Sequence, residues 1–297
     1  MRGIAGRLAL PASHAVNVVI PISLNEFPVD FDEKTFVLGI GAQKCGTTWL
    51  HDYLTSRGDV YMPHKEMHYF DAKYRPDICG RTLRRKVKKG IVDQKSHSIR
   101  NPDSLRDGNV YKDFFRTRVP EPVNFFGEIT PAYALIGEPG YREIRELFPN
   151  IRIIFIMRDP VERFYSQMRM ERNRRMAKAK PLRDIESLIE KTKYTERSSY
   201  ETTVRALEKV FVAGEIIYLF YETLFRPESI SMLCQALGLP YMAANFDHVA
   251  NSGGAADPVP ASAHAGVMVK FAPTYLFCRD RFGMELPSEW HHDIRER

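Results

Sequence analysis

The stretch "FVLGIGAQKCGTTWL", Phe36–Leu50, decides how the rest of the chain is read. An apolar run gives way to a glycine-bounded turn and then to "HDYLTS", so the segment reads as a strand, a turn and a helix start. Gly41 and Gly46 keep the G-x-x-x-x-G spacing of a nucleoside triphosphate loop, yet Thr47 stands where that motif needs lysine. The loop's lysine is Lys44, inside the turn. Unpaired amides at a helix start and the positive end of the helix dipole suit an oxyanion. Gly46 lets the backbone approach that anion closely, and Thr47 and Thr48 add hydroxyl donors. A nucleotide kinase would also need a lysine on the β and γ phosphates and an acidic magnesium ligand after another strand. The strand "IRIIFIM" (151–157) ends in Arg158, a cation, which leaves an acidic ligand only after a different strand.

Outward from this loop, short apolar runs alternate with helical patterns, and no internal repeat or low-complexity tract stands out. Strands are expected at 35–40, 59–62, 123–127, 151–157 and 216–220, and helices at 47–57, 139–148, 160–178, 198–212 and 222–237. Several of the strands are apolar on both faces, the mark of parallel strands covered on either side. The fold class is therefore α/β, a three-layer sandwich around a central parallel sheet. Residues 1–34 read as an amino-terminal arm and 35–297 as a single domain carrying a loop-rich insertion at 71–120. The Gly-, Ala- and Pro-rich stretch 240–264 reads as a mobile loop at the sheet edge.

Composition narrows the function classes. With 297 residues, 44% hydrophobic and 27% charged, the chain is long enough for a full core and matches soluble globular proteins rather than disordered or fibrous ones. The net charge of +6 gathers in "RTLRRKVKKG" (81–90) and "RMERNRRMAKAK" (169–180). Each run is either a solvated helix face or part of a basic rim that attracts an anion. No nucleic-acid module accompanies them, so no nucleic-acid partner is expected. The 4 cysteines, at 45, 79, 234 and 278, lack C-x-x-C spacing, which argues against a zinc site and a disulfide framework and for a reducing compartment. Pro11, His14, Asn17 and Pro21 interrupt the amino-terminal segment, which falls short of the ~20 apolar residues a membrane span needs. A cytoplasmic location follows as the expectation.

Taken together, "GAQKCGTTWL", "HKEMHYFD" (64–71) and "MRDPVERFYSQ" (157–167) resemble the sulfotransferases that use 3′-phosphoadenosine 5′-phosphosulfate (PAPS), most of all their carbohydrate-modifying, heparan-sulfate-like branch. The resemblance covers roughly residues 35–240 and keeps the motifs in the family's order. It implies a fold like that of the P-loop nucleotide hydrolases. It also implies that the donor's 5′-phosphosulfate lies on Lys44, Cys45, Gly46, Thr47, Thr48 and Trp49, and its 3′-phosphate on Arg158 and Ser166. Those two residues suit one phosphate on their own terms, because the Asp159-Pro160 turn starts the helix between them. An ion pair of Arg158 with Asp159 or another carboxylate is the alternative, and Arg163 reads as structural. No metal is implied. A sulfuryl group carries less negative charge than a terminal phosphoryl, so one lysine and aligned amides can balance the charge on the leaving phosphate. Lys44 takes that part, and adenosine 3′,5′-bisphosphate (PAP) is the product.

An acceptor hydroxyl needs a general base within hydrogen-bond reach. The resemblance places that base on Glu66. His68, two residues on, points the same way if the segment is extended, and either assists or holds the acceptor. The competing reading has Glu66 paired with Lys65 or Lys44 and merely ordering the loop. In "GEITPAY" (127–133), Glu128, Thr130 and Tyr133 are expected acceptor contacts, with Glu128 equally readable as a buried acceptor for a helix end. Glycan-type relatives often carry a lysine directly after that glutamate, and this chain has Ile129. Their loop around the 3′-phosphate is also richer in lysine and arginine than "NSGGAADPVPASAHAG" (251–266). Tyr200 reads as core. The resulting expectation is a sulfotransferase acting on a hydroxyl, with an amine as second choice, of a carbohydrate or glycolipid acceptor that is open to being anionic. Competing readings are a P-loop kinase of a small metabolite, a sulfotransferase of a small natural product, and a non-catalytic nucleotide-binding protein.

Overall fold

The computed structural model describes residues 30–77, 106–176, 188–247 and 261–292. In chain order the regular elements are β1 (Thr35–Gly41), α1 (Thr47–Ser56), β2 (Val60–Tyr61), α2 (Tyr69–Tyr74), α3 (Gly108–Arg116), β3 (Phe125–Ile129), α4 (Gly137–Leu147), β4 (Ile151–Met157), α5 (Pro160–Met176), α6 (Tyr200–Glu208), β5 (Ile216–Phe220), α7 (Pro227–Leu237) and α8 (Ala261–Phe282). All five strands are parallel, in the order β2-β3-β1-β4-β5. The runs that are apolar on both faces become the inner strands β1 and β4, and burial follows: every residue of β1 after Thr35 is buried, and only Arg152 in β4 is not. Helices flank this sheet, completing the three-layer α/β sandwich.

The strand order explains where a ligand belongs. From β1 the chain leaves toward β2, whereas from β4 it leaves toward β5 on the opposite side. Neighbouring strands whose connections diverge open a crevice at their carboxyl ends, the usual binding position of open α/β sheets. The turn after β1 and Arg158 after β4 stand on its two sides.

Several elements differ from expectation. β3 runs two residues further along than expected, Phe125–Ile129 rather than 123–127, because the ladder to β1 begins at the pair Thr35↔Phe125. Gly127 is required there: a Cβ would lie 1.8 Å from the carbonyl oxygen of Val37. The expected insertion at 71–120 is not simply peripheral. It contains α3, which buries Tyr111, Phe114 and Phe115 and has the Asp107 carboxylate capping its first turn through Asn109 N–H at 2.9 Å. Tyr111 and Phe115 join Phe36, Phe126 and Phe148 in an aromatic core in which Phe36 and Phe148 stack at 3.8 Å. The expected mobile loop at 240–264 ends too late, since α8 already begins at Ala261 and buries Val267, Phe271, Tyr275, Cys278 and Phe282. Spacings of about four residues are helical, and Pro273 within them hid the pattern.

At the border of the expected arm, Lys34 is buried and donates from Nζ to the carbonyls of Pro120, Glu121 and Val123 at 3.3, 2.7 and 2.7 Å. One ammonium thereby ties the entry of β1 to the entry of β3. The rest of the arm, the basic run 81–90, and the side chains of most of 172–180 lie outside the described residues. Among the described residues no helix is long and apolar enough to cross a membrane.

Candidate active site

At the crevice between β1 and β4 lies a cavity of about 360 Å³ lined mainly by polar groups: Lys44, Gly46, Thr47, Thr48 and Trp49 on one side, Arg158 and Ser166 on another, and Lys65 and Glu66 at a third. Gln43, Pro131, Met170, Tyr221 and Phe225 complete it. Of the residues expected to bind a donor, all but Cys45 line this one space.

The loop is built for backbone exposure. Gly46 stands at the N-cap of α1 with φ +80°, has no side chain to cap the helix amides, and meets Leu224 so closely that a Cβ would lie 2.9 Å from its Cδ2. Lys44 also adopts a left-handed φ of 76°, a conformation that costs a lysine free energy and turns up where a site dictates geometry. Cys45 between them points inward. It is fully buried, 4.0 Å from the Tyr200 hydroxyl, and burial pushes its thiol up to about 12 despite the nearby arginines. Only its backbone is available to a ligand at the turn. Trp49 is fixed by its indole N–H donating to Asn245 O at 3.0 Å and by stacking with Tyr53 and with Phe246, each at a ring-centroid distance of 5.8 Å.

Arg158 enters from the end of β4. Its guanidinium lies over the Tyr221 ring at 4.3 Å, Nη1 donates to Lys44 O at 3.5 Å, and Nη2 stands 3.6 Å from Glu162, a solvent-facing carboxylate. Nε is buried and has no hydrogen-bond partner among the described residues. A buried donor without an acceptor is costly, and an anion in the cavity would relieve it. The expected alternative, an ion pair with Asp159 or another carboxylate, forms with Glu162 and not with Asp159: Asp159 is turned to Tyr275 Oη at 2.7 Å and His292 Nε2 at 3.1 Å, and caps α5 through Glu162 N–H at 2.9 Å. Ser166 lies on the helix started by Pro160, and shares the cavity wall with Arg158. Arg163 is structural, as expected. It is fully buried and bound to Ser198 Oγ, Gln167 Oε1 and Tyr194 O.

Glu66 and His68 meet, but not as an extended segment. Glu66 N–H donates to Ile129 O at 3.0 Å, which prolongs the sheet by one bridge, after which Glu66 and His68 both take left-handed φ values of 60° and 55°. The two turns fold the side chains together: Nε2 of His68 is 3.5 Å from Glu66 Oε2, and its Nδ1 is 2.8 Å from Asp71 Oδ2. Burial alone would lower the His68 imidazole, but Asp71 and Glu66 outweigh it and raise it to about 9. The hydrogen bond from His68, followed by the Lys65 ammonium, holds Glu66 down at about 2 against the opposing effect of burial. At neutral pH the pair is imidazolium and carboxylate, and Glu66 remains 46% exposed toward the cavity mouth. His68 itself does not line the cavity; it touches Glu66, which does.

Glu128, Thr130 and Tyr133, expected as acceptor contacts, do not line the cavity either, and for Glu128 the structure agrees with its other expected reading as a buried acceptor. All three are fully buried. Glu128 accepts from Tyr111 Oη at 2.6 Å, Tyr133 Oη at 2.8 Å, Thr130 Oγ1 at 2.5 Å and Met67 N–H at 3.0 Å. Burial raises its carboxyl and these donors pull it back. Because Met67 lies between Glu66 and His68, the carboxylate anchors the segment from beneath. Two relevant residues were not singled out from sequence. Asp71 was unmarked, although its place three residues after His68 is a short-range spacing. Lys65 appeared only as a possible partner of Glu66, and nothing local foretells its bond to Thr48 Oγ1 at 2.8 Å.

A sequence model described as "Sulfotransferase family" matches residues 37–243. Among solved structures, a sulfotransferase from Alicyclobacillus acidocaldarius is 20% identical, with 87% of this chain and 99% of that one covered and a TM-score of 0.64, and it shares the fold. A sulfotransferase domain from the Synechococcus PCC 7002 olefin synthase is 15% identical, covering 85% of this chain and 96% of that one at a TM-score of 0.49, a likeness too slight to build on. Among curated proteins none matches.

Proposed function

The chain belongs to the sulfotransferase family, a PAPS-dependent transferase, and from that premise we propose how its cavity works. PAPS lies with its 5′-phosphosulfate on the Lys44–Trp49 turn and its 3′-phosphate on Arg158 and Ser166. The observation that carries this reading is that Lys44, Glu66, Arg158 and Ser166, scattered over the sequence, line one cavity of about 360 Å³. The acceptor hydroxyl oxygen attacks sulfur, the bond from sulfur to the 5′-phosphate oxygen breaks, and PAP leaves with that electron pair. Glu66 takes the hydroxyl proton. Lys44 and the first amides of α1 face the oxygen on which charge builds, the arrangement that lowers a barrier most when it is preorganised. His68, held by Asp71, orients the Glu66 carboxylate. Glu128, Thr130 and Tyr133 support the segment that carries Glu66 rather than touching the acceptor.

We read the acceptor as a hydroxyl of a carbohydrate-containing molecule, a sugar or glycolipid, with an amine as second choice. The glutamate base within "HKEMHYFD" and the polar Gln43, Lys65 and Glu66 of the lining support this. A small natural-product alcohol is the second reading, favoured by the apolar Pro131, Met170 and Phe225 in the same wall. Transfer of labelled sulfur from PAPS into a panel of glycans, glycolipids and natural-product alcohols separates the two. Incorporation only into apolar alcohols removes the carbohydrate reading. Thermal unfolding tests the donor: at about 100 times its Kd, PAP adds about 2.7 kcal/mol without magnesium. Stabilisation by ATP with magnesium, and none by PAP, overturns the proposal in favour of a kinase.

A further inference from the structure

Lys65 stands where the two halves of the proposed chemistry meet. Its backbone pairs with Ile129 in the bridge that prolongs the sheet beyond β3, so the residue is held by the scaffold rather than by a free loop. From there Nζ reaches Thr48 Oγ1 on the anion-binding turn at 2.8 Å and Glu66 Oε1 at 3.3 Å. His68 stands on the other carboxylate oxygen, Oε2, at 3.5 Å. Glu66 is therefore flanked by cations on both oxygens. That is a poor state for a general base, because an oxygen engaged by an ammonium binds a further proton weakly.

Donor binding changes the competition. An ammonium has three N–H donors and no acceptor, and it is drawn to whichever anion comes nearest. With phosphosulfate on the Lys44–Trp49 turn, sulfuryl oxygens arrive beside Thr48, the residue Lys65 already touches. We propose that Lys65 senses the donor's sulfuryl group: its ammonium joins Thr48 to Glu66, and the sulfuryl oxygens of PAPS beside Thr48 draw it from Glu66 Oε1 to themselves. The shift uncovers a carboxylate oxygen for the acceptor's proton only when sulfur is in place to be attacked. His68 stays on Oε2 and keeps the carboxylate oriented. This inference rests on the reading of the cavity as the PAPS site with Glu66 as base.

The test compares PAPS with PAP, which lacks the sulfuryl group, and needs no acceptor. Calorimetric Kd values for both nucleotides are measured on the wild type, Lys65→Gln and Lys65→Arg, with thermal unfolding as the control for folding. Lys65→Gln is expected to lose PAPS affinity by about tenfold or more, the loss of one charge-assisted hydrogen bond, while PAP affinity stays within about twofold. Lys65→Arg keeps the charge and recovers part of the loss. An unchanged ratio of PAPS to PAP affinity in Lys65→Gln overturns the proposal, and so does an equal weakening of both, which marks Lys65 as loop support alone. If the wild type itself binds neither nucleotide, the functional reading falls first and takes this inference with it.

Discussion

One hydroxyl holds both backbone polar groups of Arg158: Tyr200 Oη accepts from the Arg158 N–H at 3.3 Å and donates to its carbonyl at 2.8 Å. Tyr200 is buried, with its ring against Phe155 and Trp290 at 5.8 and 5.9 Å, so core packing and control of Arg158 are the same contact set. Tyr200→Phe keeps the ring and leaves two backbone groups without their partner, at a cost of about 1–3 kcal/mol. Denaturant unfolding is expected to show that loss, and calorimetry a PAP affinity lowered about tenfold as Arg158 loses its register. Full stability together with full affinity in the variant would show that the hydroxyl positions nothing.

Glu66→Gln tests the proposed proton acceptor. The amide keeps the size of the carboxylate but cannot accept the hydroxyl proton, and removal of a general base costs about 10²–10⁴-fold. Turnover at saturating PAPS is expected to fall by that factor on any acceptor found, with PAP affinity changed far less. Near-normal turnover would leave Glu66 as an ordering residue only.

The Glu66–His68 pair also sets a pH signature. Glu66 is held below its ordinary 4.5, so the stability it contributes is present above that value and fades as acid approaches about 2. His68 is raised above its ordinary 6.5, so its contribution is complete below 6.5 and is lost as pH climbs through about 9. The stability gap between wild type and His68→Gln, read by thermal unfolding across a pH series, should therefore be widest between about 4.5 and 6.5 and narrow steadily toward 9. Solvent around the half-exposed Glu66 keeps the gap modest. A gap that is flat across the alkaline range would mean that His68 is not held as an imidazolium.

What was legible in the sequence was whatever is encoded within one strand, turn and helix. The Gly41–Gly46 turn, the step from Arg158 to Ser166 through Asp159-Pro160, and the apolar faces of β1 and β4 are all local patterns, and each occupies its expected place. The structure corrects readings wherever a contact joins distant segments. Glu128 and Tyr133 read locally as acceptor contacts of the "GEITPAY" turn, with Glu128 equally readable as a buried acceptor, and only Tyr111, from the loop-rich insertion, closes the network over them. Lys65 touches Thr48 across 17 residues. The left-handed turns at Glu66 and His68 replace the extended geometry that alternation implies, because Glu66 N–H is spent on Ile129 O and the chain must then bend away from the sheet.

The Glu128 network supplies the contrasting mutant. Its carboxylate serves four donors and is sealed from solvent, so truncation leaves two tyrosine hydroxyls, a threonine hydroxyl and the Met67 amide without their acceptor. Each buried group stranded in this way costs about 1–3 kcal/mol, and Glu128→Ala is expected to lose more than about 3 kcal/mol or to fail to fold. Glu128→Gln retains one acceptor oxygen and should lose less, about 1–2 kcal/mol in denaturant unfolding. Because Glu128 supports the Glu66 segment and does not reach the cavity, Glu128→Gln should bind PAP almost as the wild type does while its turnover drops in step with the loosened base. A Glu128→Gln variant of unchanged stability, with acceptor KM raised and kcat intact, would instead return Glu128 to the acceptor site.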